Sequence, residues 1–128
     1  MTVLNVLKPD GFLYIVADSH LDEDVAPAKE FVEMLLQLQN PHTVVFLGDL
    51  FKIWLAPQKF WTELHYETME GFAQLRDRGC NVVFLAGNRE MLLPRKLTDK
   101  WKKIIPFTHL AHSEWFLNWG DKRYAFTH

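Results

Sequence analysis

One cysteine, Cys80, in a chain of 128 residues leaves no internal disulfide to be made, so a reducing, cytoplasmic compartment is the simpler expectation. Long hydrophobic runs are also missing. The longest near the N-terminus is FLYIVA, residues 12–17, whereas a spanning helix needs about 20 apolar residues and a signal peptide about 7–15. Charge of one sign is not in excess: 14 Lys and Arg against 16 Asp and Glu give a formal net charge of −2. That argues against nucleic-acid binding driven by bulk charge. No G-x-G-x-x-G or G-x-x-x-x-G-K-[ST] follows any hydrophobic run, which excludes the common glycine-rich phosphate loops. No repeat, low-complexity tract or linker breaks the chain.

What is present is ordinary globular material, 48% hydrophobic and 23% charged, somewhat rich in aromatics with five Trp. A chain of this length makes one domain and buries roughly two thirds of its unfolded surface. Ala28, Phe31, Val32, Leu35 and Leu38 share one face of a helix expected over residues 27–39, stopped by Asn40-Pro41. Trp61, Leu64, Thr68, Phe72 and Leu75 do the same over 60–78, with Gly79 placed to close that helix. Runs at 12–17, 43–47 and 81–86 are apolar throughout, as strands buried on both faces of a parallel sheet are. After residue 90, RKLTDKWKK (Arg95 first, Lys103 last) reads as a short helix or loop. EWFLNW and KRYAFTH flank Gly120-Asp121 as two strands joined by a tight turn. The expected fold is therefore α/β: a βαβαβ parallel sheet with flanking helices plus a C-terminal β-hairpin, in a single domain over 1–128.

Each of the three hydrophobic runs ends on polar residues. LYIVA runs into Asp18, Ser19 and His20; VVFLG into Asp49; VVFLAG into Asn88 and Arg89. The carboxyl ends of parallel strands point the same way and line a common crevice, so a βαβαβ layout brings these groups to one edge. Oxygen and imidazole donors without thiolate suit Mn²⁺, Fe²⁺ or Zn²⁺. Taken singly, Asp18 or Asp49 reads equally well as the N-cap of a following helix, and Asn88 as turn chemistry. Their coincidence at three consecutive strand ends is what those readings leave unexplained.

D-x-H, then G-D, then G-N-[HR]-[DE], each after a hydrophobic strand, resembles the calcineurin-like metallophosphoesterases: DSH (Asp18–His20), GDLF (Gly48–Phe51) and GNRE (Gly87–Glu90). His128 in YAFTH resembles a further strand-end His of that family. The resemblance implies an α/β/β/α sandwich and two divalent ions, Mn²⁺ foremost. Asp18 and His20 would hold one ion, Asn88 and His128 the other, and Asp49 would be shared. Such a pair clamps a phosphoryl group for in-line attack by water without a separate general base. Arg89 would meet phosphate oxygens with its fixed guanidinium fork; a surface pair with Glu90 or Asp22 is the alternative. Arg after Gly-Asn, together with GDLFKIW, is most similar to the branch that hydrolyses UDP-2,3-diacylglucosamine, a nucleotide-linked lipid precursor of lipid A, to lipid X and UMP. Lys52, Ala56-Pro57 and Glu90 depart from that branch. A general phosphodiesterase, or a non-catalytic scaffold of the same fold that binds a protein partner, are the alternatives.

The remaining histidines, His42 before a strand, His65 in mid-helix, and His109 and His112 in a loop or edge region, read as structural or solvated. The five cations and Trp101 within residues 95–103 read as a solvated face or as peripheral contact with the inner face of a membrane. The family places further ligands after the His that His128 resembles, in a G-H-x-H motif that this sequence does not contain. The expectation is an N-terminal portion of one metallophosphoesterase domain, with little activity alone.

Overall fold

The computed structural model describes residues 3–17, 21, 24–51, 54–87 and 90–127. A four-stranded sheet runs in the order β2-β3-β5-β7, formed by β2 (Phe12–Val16), β3 (Pro41–Phe46), β5 (Asn81–Ala86) and β7 (His109–His112). Every pairing in it is parallel. Helix α1 (Val25–Leu36) joins β2 to β3, and α2 (Glu63–Asp77) lies between β3 and β5. The βαβαβ expectation is met, with β7 added at the far edge. A second sheet has the order β1-β8-β9, from β1 (Val3–Val6), β8 (Glu114–Trp119) and β9 (Lys122–Thr127). β8 and β9 form the expected hairpin, antiparallel with Trp119 opposite Lys122 across Gly120-Asp121.

The pleat explains why β3 and β5 are apolar throughout. Val44, Phe46, Val82 and Phe84 face the helices and pack with Ala28, Leu35, Phe72 and Leu75. Val45, Val83 and Leu85 face the other way, against Val6, Trp115, Leu117 and Phe126 of the second sheet. Successive residues of one strand therefore fill two cores in turn. β2 departs from the expectation of burial on both faces: Phe12 is 56% and Ile15 52% exposed. It is an edge strand, and only Leu13 of its second-sheet face packs into that core.

The helix ends show how local sequence sets boundaries. Helix α2 closes in a Schellman motif: the N–H of Gly79 donates to the Arg76 carbonyl (2.9 Å) and that of Cys80 to the Leu75 carbonyl (3.2 Å). Gly79 has φ +89°, a conformation that suits glycine. At the other end His65 stands in the first turn rather than mid-helix. Its Nδ1 accepts the N–H of Thr62 (3.0 Å), the reciprocal half of a capping box. Helices α1 and α2 approach closely at Gly71, where an added Cβ would lie 2.6 Å from Val32 Cγ1.

Candidate active site

The carboxyl ends of β2, β3 and β5 lie side by side at one edge of the parallel sheet, and backbone bonds tie the loops that leave them. Beyond β2 and β3, the N–H of Leu47 donates to the Val16 carbonyl and the N–H of Leu21 to the Leu50 carbonyl, both at 2.8 Å. Leu21 and Phe51 then form a parallel bridge. Gly48 and Asp49 thus sit between these two cross-links. The third loop joins in the same manner. β4 (Trp54–Leu55) pairs in parallel with β6 (Glu90–Met91), so the chain before residues 88–89 is bonded to β3 and the chain after them to the segment that follows β3.

Apolar side chains fix this rim from below. Leu21, Leu50, Phe51, Trp54 and Ala56 are buried in the helix-side core. In GDLFKIW, then, a polar turn is held in place by Leu50, Phe51 and Trp54. Gly48 (φ +73°) and Asp49 (φ +47°) are both left-handed, which folds the chain sharply as it leaves β3. Asp tolerates this region better than bulkier residues do. Asp49 is half-buried and takes part in an interaction. It caps no helix, because the next helical turn begins at Gln58; at α1 the N-cap is Asp24 and not Asp18. The N-cap reading of Asp49 is thereby removed, and the cap position of α1 is held by Asp24.

The second sheet brings a fourth chain end to this edge. β7 reaches the rim at His112, paired with Ala86. Ser113 turns the chain with φ +71° into β8, and β9 returns antiparallel so that Thr127 pairs with Glu114. Asp18, His20, Asn88, Arg89 and His128 lie outside the described residues. Asp49 is the proposed site residue that falls within them, and the described flanks of all the others are at this edge. Among the described residues no three His, Cys, Asp or Glu side chains cluster as a metal site.

Other candidates separate cleanly. Cys80 precedes β5, at the opposite edge; burial pushes its thiol up to about 11, which keeps the sulfur protonated. His42 also lies at that edge, its ring edge-on to Trp119 (5.1 Å between centroids) and its Nδ1 2.8 Å from Thr43 Oγ1. His109 is held below the ordinary imidazole range by burial. The sequence reading gave no rim position to His112, yet it ends the fourth parallel strand. Its Nε2 is 2.9 Å from the Pro94 carbonyl, so that nitrogen is the donor. The signal was faint, since HLAH has only two apolar residues. Trp101 packs against the helix-side core, while within residues 95–103 all five cations are exposed, together with Thr98 and Asp99.

Oxygen and imidazole donors of the kind expected here would suit a divalent ion; of them Asp49, half-buried at the turn that leaves β3, is the one within the described residues. UDP-2,3-diacylglucosamine hydrolase of Aeromonas salmonicida is 31% identical over 87 residues, 66% of this chain and 34% of that protein. The protein of the same name from Neisseria gonorrhoeae is 32% identical over 88 residues (64% and 35%), and that from Ralstonia nicotianae 24% over 92 (70% and 34%). The chain thus covers about a third of the length of these curated relatives. The profile of the calcineurin-like phosphoesterases matches residues 13–127, nearly the whole chain. This chain belongs to the calcineurin-like phosphoesterase family.

Proposed function

We propose that this protein is a two-metal phosphohydrolase whose site is the rim of the parallel sheet, and that residues 1–128 supply one part of a single domain. The observation that carries the reading is the stapling of three consecutive strand-end loops around Gly48-Asp49. Asp18 and His20 would hold one ion, Asn88 and His128 the other, with Asp49 shared; Mn²⁺ is the first choice, Fe²⁺ and Zn²⁺ the others. Bound there, the ions supply Lewis acidity at the phosphoryl oxygens and lower the pKa of the attacking water. The chain's own part is to fix the donors in place and exclude water from beneath them, which Leu50, Phe51 and Trp54 do by anchoring the loop. Arg89 would neutralise phosphate oxygens as charge builds, a role its bidentate fork suits.

For the substrate we favour UDP-2,3-diacylglucosamine, cleaved at the pyrophosphate to lipid X and UMP, on the strength of Arg89, GDLFKIW and the named relatives. Exposed lysines of residues 95–103 would serve contact with an anionic membrane surface. The test is manganese-dependent release of nucleoside monophosphate, in the wild type and in His20→Ala. Release that the variant abolishes supports the reading; release that survives His20→Ala, or that needs no divalent ion, contradicts it. Hydrolysis of simple phosphodiesters but not of the nucleotide-linked lipid would assign a general phosphodiesterase, and catalytic silence with intact partner binding would assign a scaffold.

A further inference from the structure

Between α2 and the chain that follows α3 (Asp99–Lys102) lies a cleft of about 450 Å³, within the size range of small-molecule sites. Its floor is apolar, with Met69 and Ile105 buried and Trp61 and Ile104 half-buried. Trp61 is fixed there by two contacts: its indole N–H donates to the Ala56 carbonyl (2.9 Å), and Tyr66 meets it edge-on at 5.1 Å. The mouth is cationic. Lys102 and Lys103 are exposed and form no ion pair among the described residues, while Arg76 is engaged by Asp77 at 3.3 Å. Glu70 is the acidic group of the lining, so the count there is three cations against one anion. A second hollow of about 290 Å³ shares Arg76 and Lys102 and extends the space toward Phe107.

An apolar floor beside unpaired ammonium groups asks for a ligand with both characters. An uncharged apolar molecule would leave the lysines unused, and a bare anion would leave the floor wet. We propose that this cleft binds a single-chain anionic amphiphile, its alkyl chain against Trp61, Met69 and Ile104 and its phosphate or carboxylate head on Lys102 and Lys103. The proposal goes beyond the hydrolase reading and is independent of the rim's chemistry.

The test is calorimetric titration of the protein with monododecyl phosphate below its micellar concentration, with inorganic phosphate and dodecyl maltoside as separate probes. Saturable binding of dodecyl phosphate, at least about tenfold tighter than either control, is expected, since a charge-assisted hydrogen bond and the buried chain each contribute that much. Replacing Lys102→Ala together with Lys103→Ala should weaken it about tenfold or more, and Glu70→Gln should strengthen it. Ala73→Phe, which fills the cleft without altering charge, should abolish binding; Ala73→Leu repeats the test with a smaller group. Equal affinity for dodecyl maltoside or for phosphate would overturn the proposal, as would binding that ignores both the lysine and the Ala73 variants in proteins that remain folded. Capture of phosphatidylglycerol vesicles with the same sensitivity to these variants places the amphiphile in a bilayer. Binding of the monomer without vesicle capture places it in solution. Either result supports the cleft.

Discussion

Asp49 meets a backbone requirement and, in the proposed site, would meet a chemical one, and substitution separates them. Its φ of +47° favours Asp, Asn or Gly. Asp49→Val should therefore lower stability by about 1–2 kcal/mol, measured as a shift in urea midpoint, whereas Asp49→Asn should change it by less than about 0.5 kcal/mol. Equal losses would mean the left-handed turn is not what the residue is chosen for. Cys80 gives a second test at this scale. With its thiol at about 11 rather than the ordinary 9.0, stability from burying the neutral form is complete below pH 9.0 and is lost as pH rises through about 11. At neutral pH a thiol reagent should label the native protein far more slowly than the urea-unfolded chain; equal rates would contradict the burial. His109 works in the other direction. Its folded-state pKa lies below 6.5, so in that window the unfolded chain binds a proton that the folded chain refuses. Stability should fall as pH drops below 6.5, and His109→Gln should remove that part of the slope.

At the scale of elements, the sharpest constraint is the contact between α1 and α2. Gly71→Ala would gain about 1 kcal/mol of helix propensity in isolation, yet its Cβ would fall 2.6 Å from a γ-carbon of Val32. Val is stiff at χ1, so the helices must part, and we expect a net loss of about 1–3 kcal/mol by thermal unfolding. Val32→Ala in the same chain should recover most of it; no recovery would place the strain elsewhere. Much at this scale was legible. The periodicity of Phe72 and Leu75 and the stop at Gly79 gave α2, and the unbroken apolar runs gave β3 and β5. β1 and β7 were not legible, because each is four residues long, VLNV interrupted by Asn5 and HLAH with two apolar positions. They are strands because of their neighbours, β8 and β5, and not because of their own pattern. His65 was misplaced within its helix for a related reason: its bond to Thr62 depends on where the chain enters the turn, which periodicity does not report.

For the whole molecule, the parallel sheet is shared by two cores. Trp54 belongs to the helix-side core and Trp115 to the core between the sheets, and both are fully buried. Because β3 and β5 give alternate residues to each, the two cores should melt together. In fluorotryptophan-labelled protein followed by fluorine NMR, the native signals of both should vanish at one urea midpoint; separate midpoints would show that the layers fold apart. The placement of the strand ends was readable from sequence at this same scale and no finer. Hydrophobic runs that break off at Asp18, Asp49 and Asn88 told where the strands end, and parallel order then told that the ends share an edge. What sequence did not reveal was the stapling of the loops, Leu21 to Leu50 and Trp54 to Glu90, since such bonds join backbone and carry no residue signature. The central claim, that these ends deliver donors to a common pair of ions, is tested most directly by calorimetric titration of Mn²⁺ into the protein and into Asp49→Asn. The account predicts saturable binding in the first and an affinity lower by at least about tenfold in the second, with the fold unchanged; the same affinity in both would contradict it.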